Sequence, residues 1–319
     1  LYAVYQTLTP KELFKCLTIR YYENIAQKFK FSNIDNNLLT PYNRLFYKLK
    51  LQIQLIMKFL KLTFALMLSL IINAQSVMDI TYMDIPATEI GEFIEVHKQF
   101  TDITIEEGRE MNGQWVYRHW YGSGASVVVM TYFNSAESAV KDDPWEYIRK
   151  RWENSSDEEK KSLEAMGSKY ASFLDRHSDE VRTIDWENWF IANGDAIQEK
   201  APAWDTNWVL VVGSYNSSGN WGTMANAYMD WQVKPQVEEG SMLAGGYSYH
   251  FSGSGSDVQF FTAYASLIEF AEAASSQGTD NPEARSTFWS LVEGGHDDQI
   301  YVHVGHVDAN GFNLAGPNR

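Results

Sequence analysis

Cysteine is almost absent: the 319-residue chain carries one, Cys16. From residue 75 onward there is none. That excludes a disulfide framework, a thiolate zinc site and a cysteine nucleophile from this part of the chain. The chain also lacks an HExxH helix, a GxSxG elbow, a GxxxxGK(S/T) loop and a CxxC pair. Zincin, hydrolase-elbow and P-loop chemistries are therefore not expected. Gly-Ser-Gly occurs at 122–124 and 253–255, but each copy joins two strand-like runs. With no helix N-terminus to present to an anion, each reads as a hairpin turn.

Positive charge is scarce and unevenly placed. Residues 1–74 hold ten Lys/Arg against three Asp/Glu, so residues 75–319 carry a net −22 of the chain's −15 total. A surface that acidic repels phosphate backbones and anionic headgroups, and no nucleic-acid partner is expected.

Aromatics are abundant instead. They make up 14% of the chain, and all 11 tryptophans lie at or beyond Trp115. They sit in a region that is written twice. Glu106 to Ala139 falls on Glu238 to Ala271 at an offset of 132, bringing Gly113, Tyr117 and Tyr132 onto Gly245, Tyr249 and Tyr264. An internal repeat of this kind organises the whole fold.

Ahead of the repeats, Met57 opens a basic head (Lys58, Lys61), an apolar run from Leu62 to Ile72 and a small-residue cut after Ala74. That layout is a signal peptide over 57–74, too short to span a membrane, and it implies a secreted or periplasmic protein with no stable membrane anchor. Residues 1–56, which show no sustained period, are expected to be upstream sequence translated from a misplaced start, the alternative being a cytoplasmic segment before an internal signal anchor.

Each repeat reads β-α-β-β-α-β. In the first (75–195), Asp79 to Ile85 is a strand and Thr88 to Gly108 a helix. Gly113 to Tyr121 and Ser126 to Phe133 form a hairpin, helices follow behind Pro144 and Ser156, and Val181 to Ile191 is the closing strand. Ala196 to Asp205 is a polar linker. The second repeat (206–310) runs through Trp208 to Ser214, a helix from Trp221 that Pro235 should kink, a hairpin over Gly246 to Tyr264, a helix that Gly294-Gly295 ends, and Gln299 to Val307. The tail 311–319 is expected to fray.

Two such units with doubly apolar strands resemble a fused dimeric α+β barrel, an α+β fold of two tandem ferredoxin-like repeats. The resemblance spans about residues 78–307 in element order. The superfamily includes antibiotic-biosynthesis monooxygenases, NIPSNAP-like proteins and haem-handling relatives, so it implies a small-molecule partner and admits haem as a cofactor.

Histidines are the candidates for chemistry. His97 lies on an apolar helix stripe and falls on Met229 in the repeat, which marks a core position. His303 and His306 are three apart on a strand, so they should face opposite sides and form no metal pair. No metal site is expected. Tyr117 and His119 share a face with the repeat's Tyr249, and Tyr301 and His303 should turn away from the helices. Tyr117, His119, Tyr249, Tyr301 and His303 are thus expected to line one cavity between the sheets, or to fill it as an aromatic core.

The leading expectation is a secreted or periplasmic binding protein holding a small apolar or aromatic molecule between two sheets, as a monomer with two pseudo-equivalent halves. The alternatives are a monooxygenase-like or haem-handling enzyme, and a structural protein with a filled barrel.

Overall fold

Residues 75–106, 108–276, 281–308 and 311–316 are described by a computed structural model of the chain. The expectations for residues 1–56 and for the signal peptide at 57–74 lie outside them.

Strands that are apolar on both faces need cover on both sides. Strand β1 (Ser76–Met83) buries Met78 and Ile80 on one face and Val77 and Met83 on the other. It leads into α1 (Ile90–Glu106), the hairpin β2 (Gly113–Gly122) and β3 (Val127–Phe133), and the short α2 (Ala136–Lys141). Helix α3 (Pro144–Glu153) starts with proline at its first position and Asp143 as its cap. Helix α4 (Asp157–Phe173) starts with a capping box between Ser156 and Glu159. These local signals set both helix starts. Strand β4 (His177–Ile184) closes the first half.

After the short β5 (Phe190–Ile191) and α5 (Gly194–Lys200), the second half repeats the order. It comprises β6 (Val209–Ser217), α6 (Trp221–Tyr228), α7 (Lys234–Glu238), β7 (Ala244–Gly253), β8 (Val258–Tyr264), α8 (Leu267–Ser275), α9 (Pro282–Leu291) and β9 (Val292–Asp308). A last strand, β10 (Gly311–Leu314), pairs with the end of β9.

All neighbours are antiparallel in the order β9-β2-β3-β1-β4-β7-β8-β6, and β6 pairs back onto β9. The result is a closed eight-stranded barrel with no free edge along that ring. Within each half the strands lie in the order second, third, first, fourth. The seams between halves are β2 with β9 and β4 with β7.

The barrel interior holds Met78, Ile80, Met130, Leu210, Val212 and Phe261. Outside it, α1 and α4 cover the first half through Phe93, Phe173 and Val129, and α6 and α9 cover the second through Met224, Phe260 and Phe288.

Several boundaries differ from the sequence reading. The strand expected over Val181 to Ile191 stops at Ile184, because the Asp185 carboxylate accepts from Glu187 N and folds 186–188 into a turn. The linker at 196–205 is not irregular: α5 occupies its start, and a tight turn follows with Ala203 and Trp204 at φ 53° and 60°. Next to Pro235 the helix from Trp221 is distorted rather than ended. A widened π turn at Met229–Val233 precedes the proline, which accommodates the missing N–H without ending the rod. Gly294 and Gly295 lie inside β9 rather than ending α9. Nor is the start of the tail frayed. Phe312 is buried, its N–H donates to Asp102 at 2.7 Å, and Lys98 donates to its carbonyl at 2.6 Å.

The two halves share an order of elements, but the register between their hairpins is not the one read from sequence. Trp115 pairs with Met130 in the first hairpin, and Gly246 pairs with Phe261 in the second, both 131 residues on. The loop between Gly108 and β2 is one residue longer than that between Gly240 and β7. Since side chains alternate faces along a strand, an offset wrong by one exchanges inside for outside.

Candidate functional site

That slip decides the fate of the candidate residues. Tyr117 points into the barrel, 5.5 Å from Trp208 and 6.0 Å from His303 between ring centres. His119 packs edge-on against Tyr301 at 5.7 Å, also inside. Tyr249 does not join them. It faces outward, under α6, with its ring 3.8 Å from Trp221. The true counterpart of Tyr117 is Ser248, buried in the interior. The sequence did contain the signal: the two Gly-Ser-Gly turns, at 122–124 and 253–255, lie 131 apart.

A second correction concerns His303 and His306. Strand β9 carries a bulge opposite β2: Gly305 pairs with Val116 and His303 with Tyr117, leaving Val304 as the extra residue. The bulge turns both imidazoles to the same face. Their ring centres lie 5.4 Å apart, and both contact Trp115, at 5.2 Å and 4.5 Å. Two histidines make no metal centre alone, and among the described residues no cluster of three or more His, Cys, Asp or Glu could hold an ion.

The interior divides in two. One end is plugged by a fully buried ion pair, Arg182 with Glu180, where Arg182 also donates to Ser248 Oγ at 2.6 Å and to Ser256 O at 3.1 Å. Tyr82 donates to Glu180 at 3.3 Å and Gln259 donates to Tyr82 at 3.3 Å. Burial and the Glu180 charge push the Tyr82 phenol up to about 12, and burial also raises Tyr117 and Tyr301. These phenols stay protonated at physiological pH, and those of Tyr82 and Tyr301 donate to Glu180 and Gln299. The other end opens into a cavity of about 210 Å³ walled by Trp115, Trp186, Trp189, Trp204 and Trp208. None of these five is among the cavity residues expected from sequence, although Trp115 shares the face of Tyr117 and His119 there; only the closed barrel gathers all five.

A different cavity, of about 170 Å³, lies on the outer face of the first half, between β1–β3 and helices α1, α3 and α4. It is polar. Asp79 points into it from β1, opposite Thr131 on β3. Burial first, and the nearby Asp179 charge second, raise the Asp79 carboxyl to about 6. Its Oδ1 is buried without a hydrogen-bond partner in the protein. Beside it runs a chain of bonds: Gln114 Nε2 donates to Thr131 Oγ1 at 3.0 Å, and His97 Nε2 lies 2.9 Å from Gln114 Oε1. That orientation assigns the imidazole proton to Nε2 and leaves Nδ1 to accept from Tyr170 OH at 3.2 Å. Burial depresses His97 to about 4, so it is neutral at physiological pH. Arg109 closes one wall, bound to Asp142 at 2.5 Å with both side chains buried. His97 is buried, as its apolar stripe implies, yet it belongs to a polar cavity wall.

Among the described residues, the second half fills the corresponding layer with side chains. Val211 pairs with Thr262 as Asp79 pairs with Thr131. The space above is packed by Tyr215, Tyr228, Phe260 and Phe288, with Tyr228 and Phe260 stacked at 3.9 Å.

Haem does not fit either of these two cavities. Both cavities are close to the roughly 150 Å³ that takes a benzene-sized guest, far short of a porphyrin. Both nitrogens of His97 are engaged, and His303 bonds Thr206 O through Nδ1 while stacking on Trp208 at 5.0 Å.

A closed antiparallel eight-stranded barrel with helices on its outer faces defines the fold class, an α+β barrel. The sequence matches no protein-family model and no curated protein. Among solved structures, the chain is similar to a Fusobacterium nucleatum protein provisionally assigned as a monooxygenase, with a TM-score of 0.50 and 6% identity over 76% of this chain and 99% of that one. An anthrone oxidase-like protein matches at 0.48 and 11% identity over 77% and 97%, and a protein provisionally assigned as a chlorite dismutase at 0.43 and 8% over 74% and 96%. At such identities the likeness carries the fold alone. The leading expectation of a secreted binding protein is corrected here: the printed descriptions of these neighbours stand with the enzyme alternative.

Proposed function

We propose that the chain is a monooxygenase-like enzyme of the α+β barrel class, built from two tandem ferredoxin-like units of which the first holds the active site. The observation that carries this reading is the asymmetry of the two outer layers. The first half keeps a hollow, charged layer around Asp79 where the second half is packed with aromatic side chains.

A carboxyl raised to about 6 is half-way to a general base that works near neutrality. Its unpartnered Oδ1 has hydrogen-bonding capacity left for a substrate proton. Thr131, Gln114 and Arg109 offer polar contacts to orient a small organic molecule, while Phe100 and Trp145 supply apolar wall. Asp79 would take a proton from an activated C–H or O–H group, leaving an electron-rich anion that dioxygen can oxidise. Conversion of a methylene to a carbonyl by one O2, with one water released, balances without an external reductant.

Oxygen uptake with a panel of activated aromatics, anthrone and hydroquinones among them, tests it. The wild type should consume oxygen, with kcat/KM rising through about pH 6. Asp79→Asn should lose roughly 100-fold or more, the range of a positioned general base. A silent panel, or full activity in the Asp79→Asn protein, refutes the reading.

A further inference from the structure

The tryptophan-walled mouth of the barrel lies apart from the Asp79 cavity and takes no part in the chemistry above. Trp115, Trp204 and Trp208 meet edge to face at 5.5–6.3 Å, forming one side of the mouth. Trp186 and Trp189, 5.4 Å apart, form the other, with Trp186 half-exposed at the rim. The lining is almost wholly apolar, and no Asp, Glu, Lys or Arg is among its residues.

Two features show that the indoles are held there at a cost. Trp204 sits at φ 60° directly after Ala203 at φ 53°, a left-handed pair that non-glycine residues avoid. Such strain persists only where surrounding contacts enforce it, and it concentrates at functional sites. Trp189 lies over Gly246 so closely that any β-carbon there would enter the indole. The chain has given up a side chain at Gly246 to seat that ring.

We propose that this mouth binds a quaternary ammonium group by cation–π contact. Indole is the strongest of the aromatic faces toward a cation, and a fully alkylated ammonium needs no hydrogen-bond partner. That matches a wall with five indoles and no charged side chain. Asp185 and Glu187 flank Trp186, Asp205 follows Trp204, and residues 75–319 carry a net −22, so the field at the mouth draws cations. A cavity of about 210 Å³ holds a trimethylammonium headgroup with a short tail.

Calorimetric titration of the full chain with choline and with 3,3-dimethyl-1-butanol, its neutral carbon isostere, at matched ionic strength provides the test. Choline should bind at least tenfold more tightly. Trp186→Leu should weaken choline at least fivefold while Trp186→Phe retains most of the affinity, with unchanged circular dichroism in both. Equal affinity for the two probes, no saturable binding of choline, or a Trp186→Leu protein that binds as the wild type does would each overturn the proposal. Co-sedimentation with phosphatidylcholine vesicles separates the sources: pelleting assigns the group to a lipid headgroup, and choline binding without pelleting assigns it to a free solute. Loss of oxygenase activity in Asp79→Asn leaves this binding unaffected, so the two proposals fail independently.

Discussion

Ser248, one place before Tyr249, is the residue that stands where Tyr117 stands in the other half. Each faces the interior from the second strand of its unit, and Ser248 receives the Arg182 Nε proton at 2.6 Å. Ser248→Ala should strip that partner from a buried guanidinium and cost about 1–3 kcal/mol. Tyr249→Phe, on the outer face, should cost less than about 1 kcal/mol. Denaturant unfolding of the two variants compares them directly, and the opposite ranking would restore the 132-residue register.

Gly246→Ala drives a methyl into Trp189 and should destabilise by about 1–3 kcal/mol, as overpacking does. Gly113→Ala, where a β-carbon meets nothing within 4 Å, should be nearly neutral. Thermal melts compare the two, and equal melting temperatures would refute the contact between Gly246 and the indole.

Asp79 opposes stability at neutral pH. Its folded pKa of about 6 lies above the model-peptide 3.8, so the unfolded chain releases its proton first as pH rises. Stability is therefore lost as pH climbs from about 4 through about 6 and stays lost above it. Asp79→Asn should raise the melting temperature by several degrees at about pH 8, at roughly 2–4 °C per kcal/mol for a chain of this size. At about pH 4 the gain should vanish. Melts across that range check both statements.

His97 has the opposite slope. Its folded pKa of about 4 lies below the ordinary 6.5, so the unfolded chain takes up the proton first as pH falls. Its contribution is intact above about pH 6.5 and drains away down to about 4, a loss of at most about 3 kcal/mol. Replacing it as His97→Met should flatten this acid limb, which a pH series of unfolding free energies would reveal.

A chain truncated after Asn193 loses β9 beside β2 and β7 beside β4, so both seams of the barrel open. The interior face of Met78, Ile80 and Met130 would then be exposed over far more than the few hundred Å² a soluble monomer tolerates. Light scattering should show aggregates or self-paired halves, whereas the intact chain should run as a monomer. A well-folded monomeric half would show that the two units do not share a core.

Much of the scaffold follows from local chemistry. The caps at Asp143 and Ser156, proline at the first turn of α3 and α9, and the glycine turns at 122–124 and 253–255 act within a few residues of themselves. The doubly apolar strands demanded layers on both sides, and the repeat demanded two similar halves. Those features were legible because propensity, capping and hydrophobic alternation are properties of short stretches.

What only the tertiary structure decided is which face each residue shows and what it meets there. A single residue fewer between Gly240 and β7 moved Tyr249 out of the barrel, and a single bulge at Val304 moved His306 in beside His303. Strand alternation amplifies any one-residue irregularity into a change of face, and no local signal at Tyr249 or His306 reports it. Asp79 reads as one acid among 41 in the sequence, and the pressure on its carboxyl comes from helices that pack over it far along the chain. The five tryptophans, spread from 115 to 208, meet only because the barrel closes. Sequence by itself determined the layers, since burial of an alternating strand is a local demand. The sites belong to the closed barrel, because burial of a charge and convergence of distant rings are properties of the whole packed chain.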